Sequence, residues 1–157
     1  MTANAGTILL AEDNADHALI FLQALKAAGF SNAAHVVTDG EQAIFYLRGE
    51  GIYSDRKTYP IPLLLLLDLK MPKLDGFGVL DWLRKQPAPL RDLPVLVLTT
   101  SNYEPDIARA YKAGANSFLV KPTDRADCIT QMKGLGDFWL TYCALPSADP
   151  AKKRFGD

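Results

Sequence analysis

Four short apolar runs, each closed by a polar residue, constrain this chain more than any other feature. Ile8-Leu9-Leu10-Ala11 runs into Glu12-Asp13 and Leu63-Leu64-Leu65-Leu66-Leu67 into Asp68. Val95-Leu96-Val97-Leu98 runs into Thr99, and Ser117-Phe118-Leu119-Val120 into Lys121. Apolar runs this short and this continuous read as strands buried on both faces rather than as half-wet strands that alternate. Such strands pair in parallel, and parallel neighbours need crossover connections.

The segments between the runs supply helices. After Asn14-Ala15-Asp16, apolar residues recur at Ala18, Phe21, Leu22, Leu25 and Ala28, and Gly29 is the stop. His35-Val36-Val37 is a short and more polar strand. Asp39-Gly40 opens a second helix with Ala43, Ile44 and Leu47, ended by Gly49, and residues 50–62 read as a polar loop. The turn Lys70-Met71-Pro72-Lys73-Leu74-Asp75-Gly76 leads into a third helix with Val79, Leu80 and Leu83, which stops at Pro87 and Pro89. A fourth helix carries Ile107, Ala108 and Tyr111 to Gly114, and a fifth is expected over Asp124–Leu145. Five strands alternating with five helices predict a doubly wound α/β sheet of the flavodoxin-like order 2-1-3-4-5, with the second strand at an edge. The expected domain spans 7–145, followed by a tail at 146–157 in which Lys152-Lys153-Arg154 is solvated.

Composition removes several function classes. A chain of 157 residues supports one sizeable core, and a net charge of −1 argues against a nucleic-acid footprint. No apolar stretch approaches the ~20 residues that span a bilayer. Met1-Thr2-Ala3-Asn4-Ala5-Gly6 has neither the basic nor the apolar part of a signal segment. Cys128 and Cys143 would lie about 22 Å apart on one helix, too far to bridge. They are expected as free thiols of a cytoplasmic protein.

In the expected sheet order the ends of the first and third strands adjoin at the switch point, where ligands bind open α/β sheets. Glu12, Asp13 and Asp68 then converge, flanked by Thr99 and Lys121. Three carboxylates so close repel one another, and a hard divalent cation such as Mg²⁺ removes the conflict. An aspartate can attack phosphorus to form an aspartyl-phosphate. Lys121 would place a point charge on one phosphoryl oxygen and Thr99 a hydroxyl donor on another.

The residues Glu12-Asp13-Asn14, Asp68 through Gly76, Pro94 through Thr99 and Lys121-Pro122 resemble the CheY-like receiver domains of bacterial response regulators, over roughly residues 7–140. The resemblance implies that Asp68 accepts a phosphoryl group from the phosphohistidine of a sensor histidine kinase. It implies direct Mg²⁺ ligation by Asp13, Asp68 and the main-chain carbonyl of Lys70, with Glu12 binding directly or through water. It also implies a cis Lys121–Pro122 bond. The long loop after the second helix, Thr99-Thr100-Ser101 and Asp137-Phe138-Trp139-Leu140 are similar to single-domain regulators paired with phytochrome-type kinases, so the kinase would be a bacteriophytochrome. Two positions depart from the common pattern. Glu12 stands where many receivers have Asp, and Phe118, either switch residue or plain core, stands where Tyr is common. Two other classes compete, a pseudo-receiver that binds partners and never takes phosphate, and an aspartate-nucleophile phosphatase; a receiver that does take phosphate either signals to a target or serves as a phosphate sink. The pseudo-receiver usually lacks an acidic residue or the lysine. The phosphatase usually carries Asp-x-Asp, whereas Lys70 is the second residue after Asp68. His17 and His35 are read as lying outside the cluster.

The last expected helix is apolar around much of its circumference in its second half. Phe138, Trp139 and Tyr142 either fold back on their own domain or form the interface of a homodimer. Gly134 and Gly136 weaken this helix by about 1 kcal/mol each.

Overall fold

The computed structural model describes residues 4–147; Lys152-Lys153-Arg154 lies outside them. The strands are β1 (Ile8–Ala11), β2 (Ala34–Val37), β3 (Leu64–Leu67), β4 (Val95–Thr99) and β5 (Ser117–Val120). They alternate with α1 (Ala15–Ala27), α2 (Gly40–Arg48), α3 (Gly76–Arg84), α4 (Glu104–Lys112) and α5 (Arg125–Leu135). All strand pairs are parallel, in the order β2-β1-β3-β4-β5. The flavodoxin-like order expected from the sequence is the order observed.

Successive strand residues point to opposite faces, so each apolar run feeds two cores. Leu9, Ala11, Leu65, Leu67, Val95 and Val97 pack under α2 and α3 with Ala43, Leu47, Val79, Leu80 and Leu83. Ile8, Leu10, Leu64, Leu66, Leu96 and Leu98 pack under α1 and α5 with Phe21, Leu25, Cys128 and Met132. That is why these strands show no polar alternation.

The helices start where their caps dictate. Asn14 accepts hydrogen bonds from the backbone of Asp16 and His17, Asp39 from Gln42, Asp75 from Gly78 and Asp124 from Asp127. Gly49, at φ 70°, closes α2 in the left-handed conformation. Two arginines finish what the caps do not. Arg56 donates to the Tyr46 and Leu47 carbonyls at the end of α2 and to Tyr59 O. Arg84, on the last turn of α3, donates to Gly114 O, Arg91 O, Leu93 O and Asn116 Oδ1.

Three expectations need correction. Residues 50–62 are not simply a polar loop. They contain a 3₁₀ turn at Gly51–Tyr53, and Tyr53 and Tyr59 pack with Tyr46 and His35 at ring-centroid distances of 5.0–5.9 Å. The last helix does not run to residue 145. α5 stops at Leu135 and Gly136–Tyr142 continues as wider π turns. A Cβ at Gly136 would sit 2.1 Å from the Phe30 ring, so tertiary packing as well as weak propensity sets this break. The cis peptide bond among the described residues is Ala88–Pro89, and the one expected at Lys121–Pro122 is not there. The two isomers of an X–Pro bond differ by only about 0.5–1 kcal/mol, so the dipeptide by itself selects neither.

The π segment divides its large apolar and aromatic residues. Leu140 is fully buried and Trp139 half-buried against the α1/α5 core, whereas Phe138 and Tyr142 are exposed. Asn4 ties this segment to the start of the chain through its backbone N–H to Leu140 O and its side chain to Cys143 O. Cys128 and Cys143 are free.

Candidate functional site

The carboxyl ends of β1, β3, β4 and β5 hold the site. The backbone fixes each end: Glu12 N–H donates to Val37 O, Asp68 N–H to Ala11 O and Lys121 N–H to Thr99 O, at 2.8–3.0 Å. Behind Asp68 the chain turns sharply into α3. A Cβ on Gly76 would meet the Asp68 carbonyl oxygen at 2.4 Å, so glycine is required for this close return. Gly76 N–H in turn donates to Leu69 O.

Glu12, Asp68, Thr99 and Lys121 are all buried, and Asp13 is exposed at the mouth. Glu12, Asp13 and Asp68 each offer a carboxylate oxygen, all within 4.8 Å of one another. Lys121 Nζ donates to Glu12 Oε2 at 2.5 Å and to Asp68 Oδ2 at 2.9 Å. The remaining carboxylate oxygens are partly served by backbone: Asn14 N–H donates to Glu12 Oε1 and Lys70 N–H to Asp68 Oδ1. Glu12, Asp13, Asp68 and Lys121 are therefore brought together, Thr99 ends the neighbouring strand β4, and Phe118 lies on β5 three residues before Lys121. Phe118 is half-buried against the α2/α3 core, and its N–H donates to Tyr111 Oη of α4.

Two observations describe what the site lacks. One ammonium faces three carboxylates, which leaves an excess of two negative charges when all are ionised. Burial pushes the Glu12 carboxyl up to about 7, against the opposing pull of Lys121, and the neighbouring Asp68 adds to the rise. Burial also acts upward on Asp68, but the Lys121 hydrogen bond and charge, with Lys70 N–H, hold it below the usual carboxylate range. Thr99 Oγ1 is fully buried and makes no hydrogen bond among the described residues. Such a hydroxyl is costly unless a partner arrives. An all-oxygen donor set with surplus negative charge fits a hard divalent cation, and an orphaned donor beside it fits an anionic oxygen.

His17 was expected outside the cluster and is not. Its Nδ1 lies 3.1 Å from Lys121 Nζ and 3.9 Å from Glu12 Oε1. Metal-ligand spacing carries no sign of this contact. The usable signal was position: His17 is in the first turn of the helix that opens directly from the Glu12-Asp13 strand end. His35 does lie apart, between Tyr46 and Tyr59.

With this geometry the match to known proteins is informative. The model of the response regulator receiver domain matches residues 8–133. The chain belongs to this receiver family. It is a receiver-type response regulator of two-component signalling. Rcp1 of Synechocystis sp. is 35% identical over 141 residues, covering 90% of this chain and 93% of that protein. The structure of the phosphorylated cyanobacterial phytochrome response regulator RcpA superposes with a TM-score of 0.83 at 36% identity, over 91% of this chain and 99% of the other. RPA3017, from red light signaling of R. palustris, gives 0.85 at 38% identity, over 90% and 98%. A Mn²⁺-bound form of Rcp1 gives 0.80 at 34%, over 90% and 99%. The resemblance of this receiver to phytochrome response regulators is thus borne out. No helix among the described residues is long and apolar enough to cross a membrane.

Proposed function

We propose that this receiver takes a phosphoryl group onto Asp68 from the phosphohistidine of a sensor histidine kinase of the bacteriophytochrome type. An Asp68 oxygen attacks phosphorus, the P–N bond breaks, and the imidazole leaves with the electron pair and takes up a proton. Lys121, already bonded to Asp68 Oδ2, donates to a phosphoryl oxygen, and Thr99 Oγ1 donates to another. Glu12, Asp13, Asp68 and the Lys70 carbonyl would hold Mg²⁺, which when bound neutralises charge developing on the phosphoryl oxygens. The observation that carries this reading is the buried hydroxyl of Thr99, which has no hydrogen-bond partner among the described residues.

Phosphorylation then biases Phe118 and the α4–β5 face, and the output is protein–protein contact by the receiver at 7–145. A homodimer through Phe138, Trp139 and Tyr142 belongs to this reading, as does a cytoplasmic location in keeping with two free thiols. Neither nucleic acid nor membrane is a partner in it. The pseudo-receiver alternative draws no support from the site, whose acidic residues and lysine are all in place, whereas a phosphate sink would use the same intact site and differs only in having no downstream target.

Intact-mass spectrometry after incubation with acetyl phosphate and Mg²⁺ tests the proposal. Wild type gains one phosphoryl group and Asp68→Asn gains none; a phosphorylated Asn variant would move the acceptor elsewhere. Millimolar Mg²⁺ raises the melting midpoint of wild type, because it binds only the folded cluster, and does so much less for Asp13→Ala. Equal shifts in the two proteins would remove the metal from the proposed site.

A further inference from the structure

His17 touches the site but has no part in the transfer as described. An ammonium has three protons and no lone pair, so His17 Nδ1 is the acceptor in its contact with Lys121 Nζ. Glu12 Oε2 and Asp68 Oδ2 take the other two protons. The Lys121 ammonium is thus held by three acceptors from three elements: the ends of β1 and β3 and the first turn of α1. The α1 acceptor is itself fixed. Asn14 Oδ1 accepts from His17 N–H at 3.1 Å, and Asn14 N–H donates to Glu12 Oε1 at 3.1 Å. Glu12, Asn14 and His17 therefore form one hydrogen-bonded unit.

There is space for Lys121 to leave. A cavity of about 340 Å³, lined by His17, Ile20, Phe21, Thr100, Lys121 and Arg125 among others, opens between α1 and the start of α5. The lysine stem is flexible, and its rotamer entropy favours such a swing unless the ammonium is held. The Phe21 ring, 5.7 Å from Nζ, holds it only weakly.

We propose that His17 is a positioning residue for phosphoryl transfer, keeping the Lys121 ammonium on the carboxylate cluster and out of this cavity through Nδ1. The inference rests on Asp68 being the phosphoacceptor. When phosphorus arrives, Lys121 hands its Asp68 bond to a phosphoryl oxygen while Glu12 and His17 keep the other two protons. The ammonium then meets the developing charge already aligned.

The test uses the full chain, acetyl phosphate and Mg²⁺, with uptake rates followed by intact mass and beryllofluoride affinity by fluorine NMR. Asn places its amide oxygen near the Nδ1 position; Gln reaches toward Nε2, and Leu has no acceptor. His17→Leu and His17→Gln slow uptake and weaken beryllofluoride binding by about tenfold, the scale of one charge-assisted hydrogen bond. His17→Asn stays within about threefold of wild type on the same scale. The Asn–Gln contrast separates positioning from folding, because both residues are polar and the site is half-exposed. Wild-type rates in His17→Leu, or Asn and Gln variants slowed alike, overturn the inference. A wild type that takes up no phosphate, with Asp68→Asn indistinguishable from it, overturns the phosphoacceptor reading itself and this one with it.

Discussion

At the scale of single residues, Thr99 sets stability against function. Its hydroxyl is desolvated and unpaired among the described residues, a condition that costs on the order of 1–3 kcal/mol. Thr99→Val keeps the shape and removes the unsatisfied group. The variant is expected to be more stable than wild type by about 1 kcal/mol in urea unfolding, with an unchanged m-value. It should also lose most beryllofluoride affinity. A Val variant less stable than wild type would mean that Oγ1 finds a partner in solution. Lys121, Asp68 and Glu12 were legible in the sequence because each sits one step past an apolar run, and strand-end geometry follows from that. His17 was not, because its role depends on where the first turn of α1 points, and no spacing rule encodes that.

At the scale of elements, the caps were legible and the arginine clamps were not. Asn14, Asp39, Asp75 and Asp124 announce helix starts by residue type alone. Arg56 and Arg84 bond mainly to backbone carbonyls, which have no sequence signature. Arg84 is half-buried and joins the end of α3 to the α4–β5 turn at Gly114. Arg84→Met keeps the stem's packing but strands several carbonyls, and is expected to cost about 2–4 kcal/mol of unfolding free energy. A loss under about 1 kcal/mol would show that water replaces the guanidinium there.

The loop after α2 makes a prediction about alkaline pH. Tyr46 is fully buried, donates to Pro60 O, and burial pushes its phenol up to about 12 from 10.0. Between those values the unfolded chain loses this proton while the folded chain keeps it. The folded state therefore binds more protons, and stability falls as pH rises, by up to about 2–3 kcal/mol over the interval. Urea midpoints measured from about pH 9 upward should fall more steeply for wild type than for Tyr46→Phe. Parallel curves would assign the alkaline loss to other groups.

At the scale of the whole molecule, the sheet order was legible because four of the five strands are apolar on both faces. The break at Gly136 was not, because it answers to Phe30, far away in sequence. That break turns Leu140 inward and leaves Phe138 and Tyr142 exposed. Size exclusion with light scattering at micromolar concentration should give a dimer mass for the full chain. Phe138→Ala combined with Tyr142→Ala should give a folded monomer, because neither side chain is buried within its own domain. A monomeric wild type, with and without beryllofluoride, would rule out this assembly.

The outer edge of β5 has a consequence of another kind. Phe118 N–H is occupied by Tyr111 Oη and Val120 O by the Gln131 side chain. A bare strand at the rim of a sheet invites other chains to extend it into fibrils or swapped ladders. Here side chains from both flanking helices already fill backbone valences on a strand of four residues. Strand addition is blocked at the face expected to change with signalling. Whatever docks there must read side chains, and so must recognise this sequence rather than β-structure in general.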